Sequence, residues 1–99
     1  MPYITSNARK RIDEKVNALL DKLTTGEPDR GEFNYVITRL LHAFIQKRGG
    51  KRYAQLNDAV GIVECAKMEL YRIVAGPYED EKIEQNGPIT KLDGAGADN

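Results

Sequence analysis

The stretch Tyr53–Ala75, YAQLNDAVGIVECAKMELYRIVA, constrains this chain more than any other. It has no proline and one internal glycine, and is long enough for about six turns of helix. Its apolar residues do not form a single stripe. Leu56, Val60, Val63, Leu70 and Val74 make one seam at helical spacing. Ala59, Ile62, Ala66 and Ile73 make a second, with Cys65 and Met68 beside it. A helix apolar around most of its circumference is expected to be surrounded by other elements. Yet Asn57, Glu64, Lys67, Glu69 and Arg72 interrupt it, and burying such groups is costly unless they are paired. The stretch therefore predicts the central helix of a small bundle or of an oligomer.

The rest of the chain supplies the elements to surround it. Ile12, Val16, Leu19, Leu20 and Leu23 recur on one face and predict a helix over 7–24, with Thr5 or Ser6 as its N-cap. Gly26 and Pro28 break that pattern. Phe33, Val36, Ile37, Leu40, Leu41, Phe44 and Ile45 predict a second helix over 31–48. Asp29 with Glu32 three residues on is a capping-box-like start, and Gly49-Gly50 suits a left-handed stop. The third helix is expected to end at Gly76-Pro77, because a residue before proline resists helical geometry. A short fourth helix over 77–85 follows, with Glu79, Asp80 and Glu81 at its positive end. The expected architecture is an all-α bundle built on an antiparallel helical hairpin, oligomeric, with residues 1–87 as one domain and 88–99 as a mobile tail.

Size and composition narrow the class without naming the chemistry. A chain of 99 residues supports one modest core. A single cysteine excludes an intramolecular disulfide and any paired-cysteine zinc site. The opening MPYITSNARKR lacks the apolar run of a signal peptide, and no segment approaches the length of a membrane span. A cytoplasmic protein is the default. The net charge is zero but unevenly placed. Residues 31–53 carry Arg39, Lys47, Arg48, Lys51 and Arg52 against Glu32 alone, a net +4. Residues 76–99 carry Lys82 and Lys91 against Glu79, Asp80, Glu81, Glu84, Asp93 and Asp98, a net −4. Such asymmetry steers an anionic ligand to one end, or matches the basic end of one subunit to the acidic end of another. The plainer reading is a solvated surface with a basic loop.

Several side-chain groupings are candidates for a site. Tyr35, Arg39, His42 and Gln46 form a line on the second helix, off its apolar face. An aromatic ring, a guanidinium and an imidazole in register suit a phosphate- or base-bearing ligand. The basic turn with Lys47, Arg48 and Arg52 extends that surface. On the third helix Asn57, Gly61, Glu64, Met68 and Tyr71 share a face. Gly61 costs about 1 kcal/mol in a helix interior and admits another backbone in return. Glu64, flanked by Val63 and Cys65, is expected to be partly buried and paired with Arg39, His42, Lys67 or Arg72. The candidate ligand-binding set is thus Tyr35, Arg39, His42, Lys47, Arg48, Arg52, Asn57 and Glu64, with no catalytic or metal residue and no cofactor.

Three sharper chemistries fit poorly. His42, Glu64 and Cys65 lack the spacing of zinc ligands, and Cys65 reads as a small core residue. The all-helical nucleoside triphosphate pyrophosphohydrolases hold magnesium with two acidic motifs. Here Glu81 and Glu84 give one such spacing, whereas Glu64 and Glu69 point to different faces. That enzyme remains the alternative to a non-enzymatic role. The basic turn between two helices has the outline of a helix-turn-helix, but the third helix is too apolar to read bases, which argues against sequence-specific DNA binding.

The segments NYVITRLLHAFI at 34–45 and YAQLNDAVGIVECAKMELYRIVAGPYEDEKIEQNG at 53–87, after the MPYIT opening, carry a resemblance. The chain resembles a small, functionally uncharacterised family of short helical proteins found largely in phages and prophages. The resemblance implies a phage-type accessory protein and brings no catalytic residues with it. Small phage proteins that oligomerise and sequester nucleotide signals are an analogy of size and context. The expected function is binding rather than catalysis, by a homo-oligomer that takes a protein partner or sequesters a small anionic, nucleotide-like ligand. A purely structural interaction module is a further alternative.

Overall fold

The computed structural model describes residues 2–94, and every regular element among them is helical. In chain order these are α1 (Ser6–Thr24), α2 (Arg30–Lys47), α3 (Tyr53–Leu70), a π-helical turn (Tyr71–Ala75), α4 (Gly76–Asn86) and a 3-10 turn (Lys91–Asp93). The chain forms two compact units, Met1–Val63 and Glu64–Asn99, with the boundary inside α3.

In the first unit the helix ends follow local chemistry. Thr5 caps α1, its hydroxyl accepting from the Ala8 N–H at 3.2 Å. Asp29 caps α2, its carboxylate accepting from the Gly31 N–H at 3.2 Å. The chain leaves α2 through Gly49 and Gly50, at φ +115° and +93°, a region closed to most side chains. There the Gly50 N–H reaches back to the Ile45 carbonyl at 2.9 Å, satisfying an acceptor that the helix end would otherwise orphan.

Burial is sparse. Ala59 on α3 is the only buried residue among the described ones. Phe33, Val36, Leu41, Phe44 and Ile45 of α2 are half-buried. The apolar face of α1, with Ile12, Val16, Leu19 and Leu20, stays about 40 % exposed. Of the two settings expected for α3, a small bundle or an oligomer, the single chain does not supply the first in full. Val60, Met68, Leu70 and Val74 each expose more than half of their surface, and Cys65, expected in a core, is exposed. The periodicity of α3 measures what could be covered, and the chain itself does not cover it.

In the second unit the expected stop at Gly76-Pro77 is replaced by a widened turn. Proline has no N–H to donate to the carbonyl four residues back, and its ring crowds that carbonyl. Instead the Gly76 N–H bonds the Tyr71 carbonyl, five residues back, and the helical path continues into α4. A single π turn is a common way for a helix to absorb such an insult. Gly76 has ordinary helical angles, φ −60° and ψ −54°, so its requirement is space. A Cβ there would stand 3.0 Å from the Tyr71 oxygen. The turn and α4 pack on each other, and the Tyr71 hydroxyl donates to the Glu79 carboxylate at 2.5 Å. The Gly87 N–H closes α4 on the Ile83 carbonyl at 2.7 Å.

Beyond α4, residues 88–94 contain a capped turn. Residues 95–99, the rest of the segment expected to be mobile, and Asp98 within it, lie outside the described residues.

Candidate ligand-binding surface

The candidate surface is built on α2, in the first unit. A run of residues with good helix geometry between Asp29 and the glycine pair puts Tyr35, Arg39, His42 and Gln46 in successive turns. All four line one open groove of about 630 Å³, with Leu19 of α1 and Val36, Leu40 and Ala43 as its apolar walls. The Arg39 guanidinium donates to the Tyr35 hydroxyl at 2.9 Å and lies 5.6 Å from the ring centroid. Phenol and guanidinium are thereby oriented together before any ligand arrives. A second, shallower hollow under the α1–α2 loop shares Tyr35 and Val36 and adds Lys22, Leu23, Asp29 and Glu32. The polar line was expected to lie off the apolar face. It borders that face, and the contribution of Leu19 was missed because it comes from another helix.

The basic residues after the groove are used differently from one another. Arg48 lies 5.0 Å from the Phe44 ring centroid and 3.7 Å from the Asp58 carboxylate, with both charged side chains about half exposed. It ties the end of α2 to the second turn of α3. Lys47 ends α2 and is exposed, suiting the negative end of the helix dipole. Arg52 stands just before α3, where its carbonyl accepts from the Leu56 N–H at 3.0 Å and its side chain is exposed. Asn57 is exposed on the second turn of α3. Seven of the eight candidate residues therefore belong to the first unit, and three of them, Tyr35, Arg39 and His42, line the groove, while Arg48 is turned to Phe44 and Asp58.

Glu64 is the exception. It belongs to the second unit, is exposed, and pairs at 3.0 Å with Lys67 one turn along its own helix. The expected burial is corrected, while Lys67 is one of the partners expected for this carboxylate, and the pair lies within α3. Apolar sequence neighbours do not bury a helical residue, because they point to other faces. The enclosed carboxylate is Glu69, whose side chain is only 16 % exposed and which holds Arg72 at 2.8 Å. Near it, the hydrogen bond from Tyr71 to Glu79 and the negative charge of that carboxylate raise the Tyr71 phenol above its ordinary value. Lys82 stands 5.4 Å from the Tyr78 ring centroid. The sequence offered no signal for the Tyr71–Glu79 bond, since an eight-residue separation meets only when a π turn intervenes.

Among the described residues no group of three or more His, Cys, Asp or Glu side chains is close enough to hold a metal ion. No helix among them is long and apolar enough to cross a membrane. Neither a curated protein nor a solved structure matches the chain. A family model does, described as a domain of unknown function, DUF6899, over residues 1–89. That span takes in the α2 groove, the basic turn and the π turn, and by it the chain belongs to the DUF6899 family.

Proposed function

We propose that this protein acts by association, as a homo-oligomer that also binds a protein partner, and not by catalysis. The observation that carries the reading is the burial of Ala59 alone among the described residues. Covering the remaining two fifths of Ile12, Val16, Leu19 and Leu20 would recover about 1 kcal/mol per side chain. Those four do not offset the usual cost of association, about 4–15 kcal/mol, without help from the open faces of α2 and α3. In this reading α2 and α3 form an antiparallel hairpin, α1 crosses it, and a second copy supplies the remaining walls. The phage-type accessory role and a cytoplasmic setting belong to the same reading. Light scattering across a micromolar concentration series tests it. A mass of two or more chains is expected, and a monomeric mass at every concentration overturns it.

A second reading is favoured by the Tyr35–Arg39 pair and its groove. A nucleotide-like anion would take the guanidinium on its phosphate and the phenol ring against its base. Calorimetric titration with cyclic and ADP-ribose-type nucleotides tests this. Binding lost in Arg39→Ala with an unchanged melting temperature supports it, and no binding at millimolar concentration removes it. Recovery of the nucleotide intact after denaturing the protein separates sequestration from the pyrophosphohydrolase alternative, which would consume nucleoside triphosphates with magnesium.

A further inference from the structure

The segment after α4 is short, holds its own hydrogen bonds and carries two aliphatic side chains. The Asp93 carboxylate accepts from the Ile89 N–H at 3.1 Å and the Thr90 N–H at 2.9 Å. The Thr90 hydroxyl accepts from the Leu92 N–H at 3.1 Å, completing a reciprocal capping box around Lys91–Asp93. The backbone of this turn thus satisfies much of its own polarity. Beside the exposed Thr90, Lys91 and Asp93 it presents two aliphatic side chains outward: Ile89 is 91 % exposed and Leu92 is 96 % exposed. Single exposed aliphatic residues are ordinary on surfaces. Two of them, three positions apart on a turn already ordered by its own hydrogen bonds, make a preorganised anchor that loses little entropy on docking.

We infer that Ile89 and Leu92 anchor this turn in the α2 groove of a second copy. The receiving groove has apolar walls from Leu19, Tyr35, Val36 and Leu40, and Arg39 and His42 among its polar ones. Charge favours a second copy as the occupant. The groove's own cation is Arg39, and the basic turn with Lys47, Arg48, Lys51 and Arg52 follows it in sequence; the docking turn, balanced within itself by Lys91 and Asp93, follows the acidic α4, which carries Glu79, Asp80, Glu81 and Glu84 against Lys82. Each copy therefore carries both an acidic donor segment and an acceptor groove that holds Arg39 and precedes a basic turn. Reciprocal exchange fills both grooves and closes the assembly with twofold symmetry, whereas a one-way contact would propagate into filaments. The inference rests on the homo-oligomer reading and names the surface that holds the copies together.

The test uses the full chain in sedimentation equilibrium, with circular dichroism confirming unchanged helix content. Ile89→Asp with Leu92→Asp should weaken self-association by about a hundredfold or more, since two aliphatic anchors are lost. Leu40→Asp in the groove should do the same. Mixing the two variants restores one intact junction, so a heterodimer weaker than the parent dimer is expected. A parent dimer that the tail variant leaves unchanged overturns the docking inference and leaves the homo-oligomer reading standing. A monomeric parent overturns both, including the case in which each chain's turn fills its own groove.

Discussion

The two units solve the problem of order in opposite ways. In the second, the polar links are short in sequence and made within the unit: Glu64 with Lys67, Glu69 with Arg72, and Tyr71 with Glu79 across the π turn. In the first, caps and a glycine pair fix the helix ends, but the apolar faces between them are left half open. Local hydrogen bonds can define where helices start and stop. They contribute little to holding helices together, which takes buried apolar area. The comparison teaches that short polar links fix the turns of the second unit and caps fix the helix ends of the first, while both units leave apolar surface uncovered.

Two helical glycines put that contrast to its strongest test. A Cβ at Gly76 would meet the Tyr71 carbonyl at 3.0 Å, while at Gly61 it would meet nothing within 4 Å. Replacing a helical glycine by alanine gains about 1 kcal/mol in propensity. At Gly76 crowding a backbone carbonyl costs about 1–3 kcal/mol against that gain, so Gly76→Ala should melt earlier in denaturant. Adding Pro77→Ala removes the cause of the π turn and should recover part of the loss, a coupling that a double-mutant cycle reads directly. Gly61→Ala should raise the stability of the isolated chain by up to about 1 kcal/mol. If a second copy's backbone packs on Gly61, the same variant should weaken self-association instead, which sharpens where the partner sits.

A smaller effect is expected at the junction of α2 with α3. Arg48→Ala removes a ring contact worth about 0.5–1 kcal/mol and a half-exposed ion pair worth at most about that much. A loss of roughly 1 kcal/mol in urea melts is expected, and Arg48→Lys should recover only the charge-dependent part. A melt indistinguishable from the parent would mean that the end of α2 is held by Gly49-Gly50 alone.

Much of this architecture was legible because it is written in local chemistry. The expected spans 7–24 and 31–48 lie within a residue of α1 and α2, since Thr5, Asp29 and Gly49-Gly50 act on backbone groups a few positions away. The line from Tyr35 to His42 was legible for the same reason, helical spacing being enough to align it. The π turn was not, because reading Gly76-Pro77 as a stop considers the missing four-back bond and ignores the five-back one. Burial was the least legible property. Cys65 and Glu64 sit among apolar sequence neighbours and are both exposed, while Glu69, between Met68 and Leu70, is enclosed. Which face is covered depends on what packs there, and periodicity alone does not specify it.

The Tyr71–Glu79 bond gives the second unit a pH dependence. Its phenol is raised above the ordinary value of 10.0, chiefly by the hydrogen bond to Glu79 and then by that carboxylate's charge. A raised acid favours the protonated folded form, so its contribution is fully present below about pH 10 and fades as pH climbs through the higher folded value. Ultraviolet titration of the tyrosines should show one late component that returns toward its ordinary value in Glu79→Gln. A titration unchanged by that variant would mean that the bond does not persist in solution.

The smallest expected effect, and the one that bears most on the docking turn, is at Asp93. Its carboxyl is held below the ordinary 3.8 because the backbone N–H groups of Thr90 and Ile89 bond its charged form. A lowered carboxylate contributes order above its ordinary value, and that order is lost as pH falls through the lower folded value. Amide resonances of Ile89 and Thr90 should therefore hold steady from neutral pH down to about 4 and move together below it. Asp93→Asn keeps an oxygen acceptor but loses the charge, so the turn should loosen at neutral pH while α4, which closes on its own Ile83 carbonyl, stays as it was. If the variant leaves both amides in place, the turn is ordered by Thr90 alone. Because the turn is exposed throughout, its loosening should not register in a thermal melt of the helices. A simultaneous shift in sedimentation would link that local order to the association of two copies, and a shift in the amides without one would separate them.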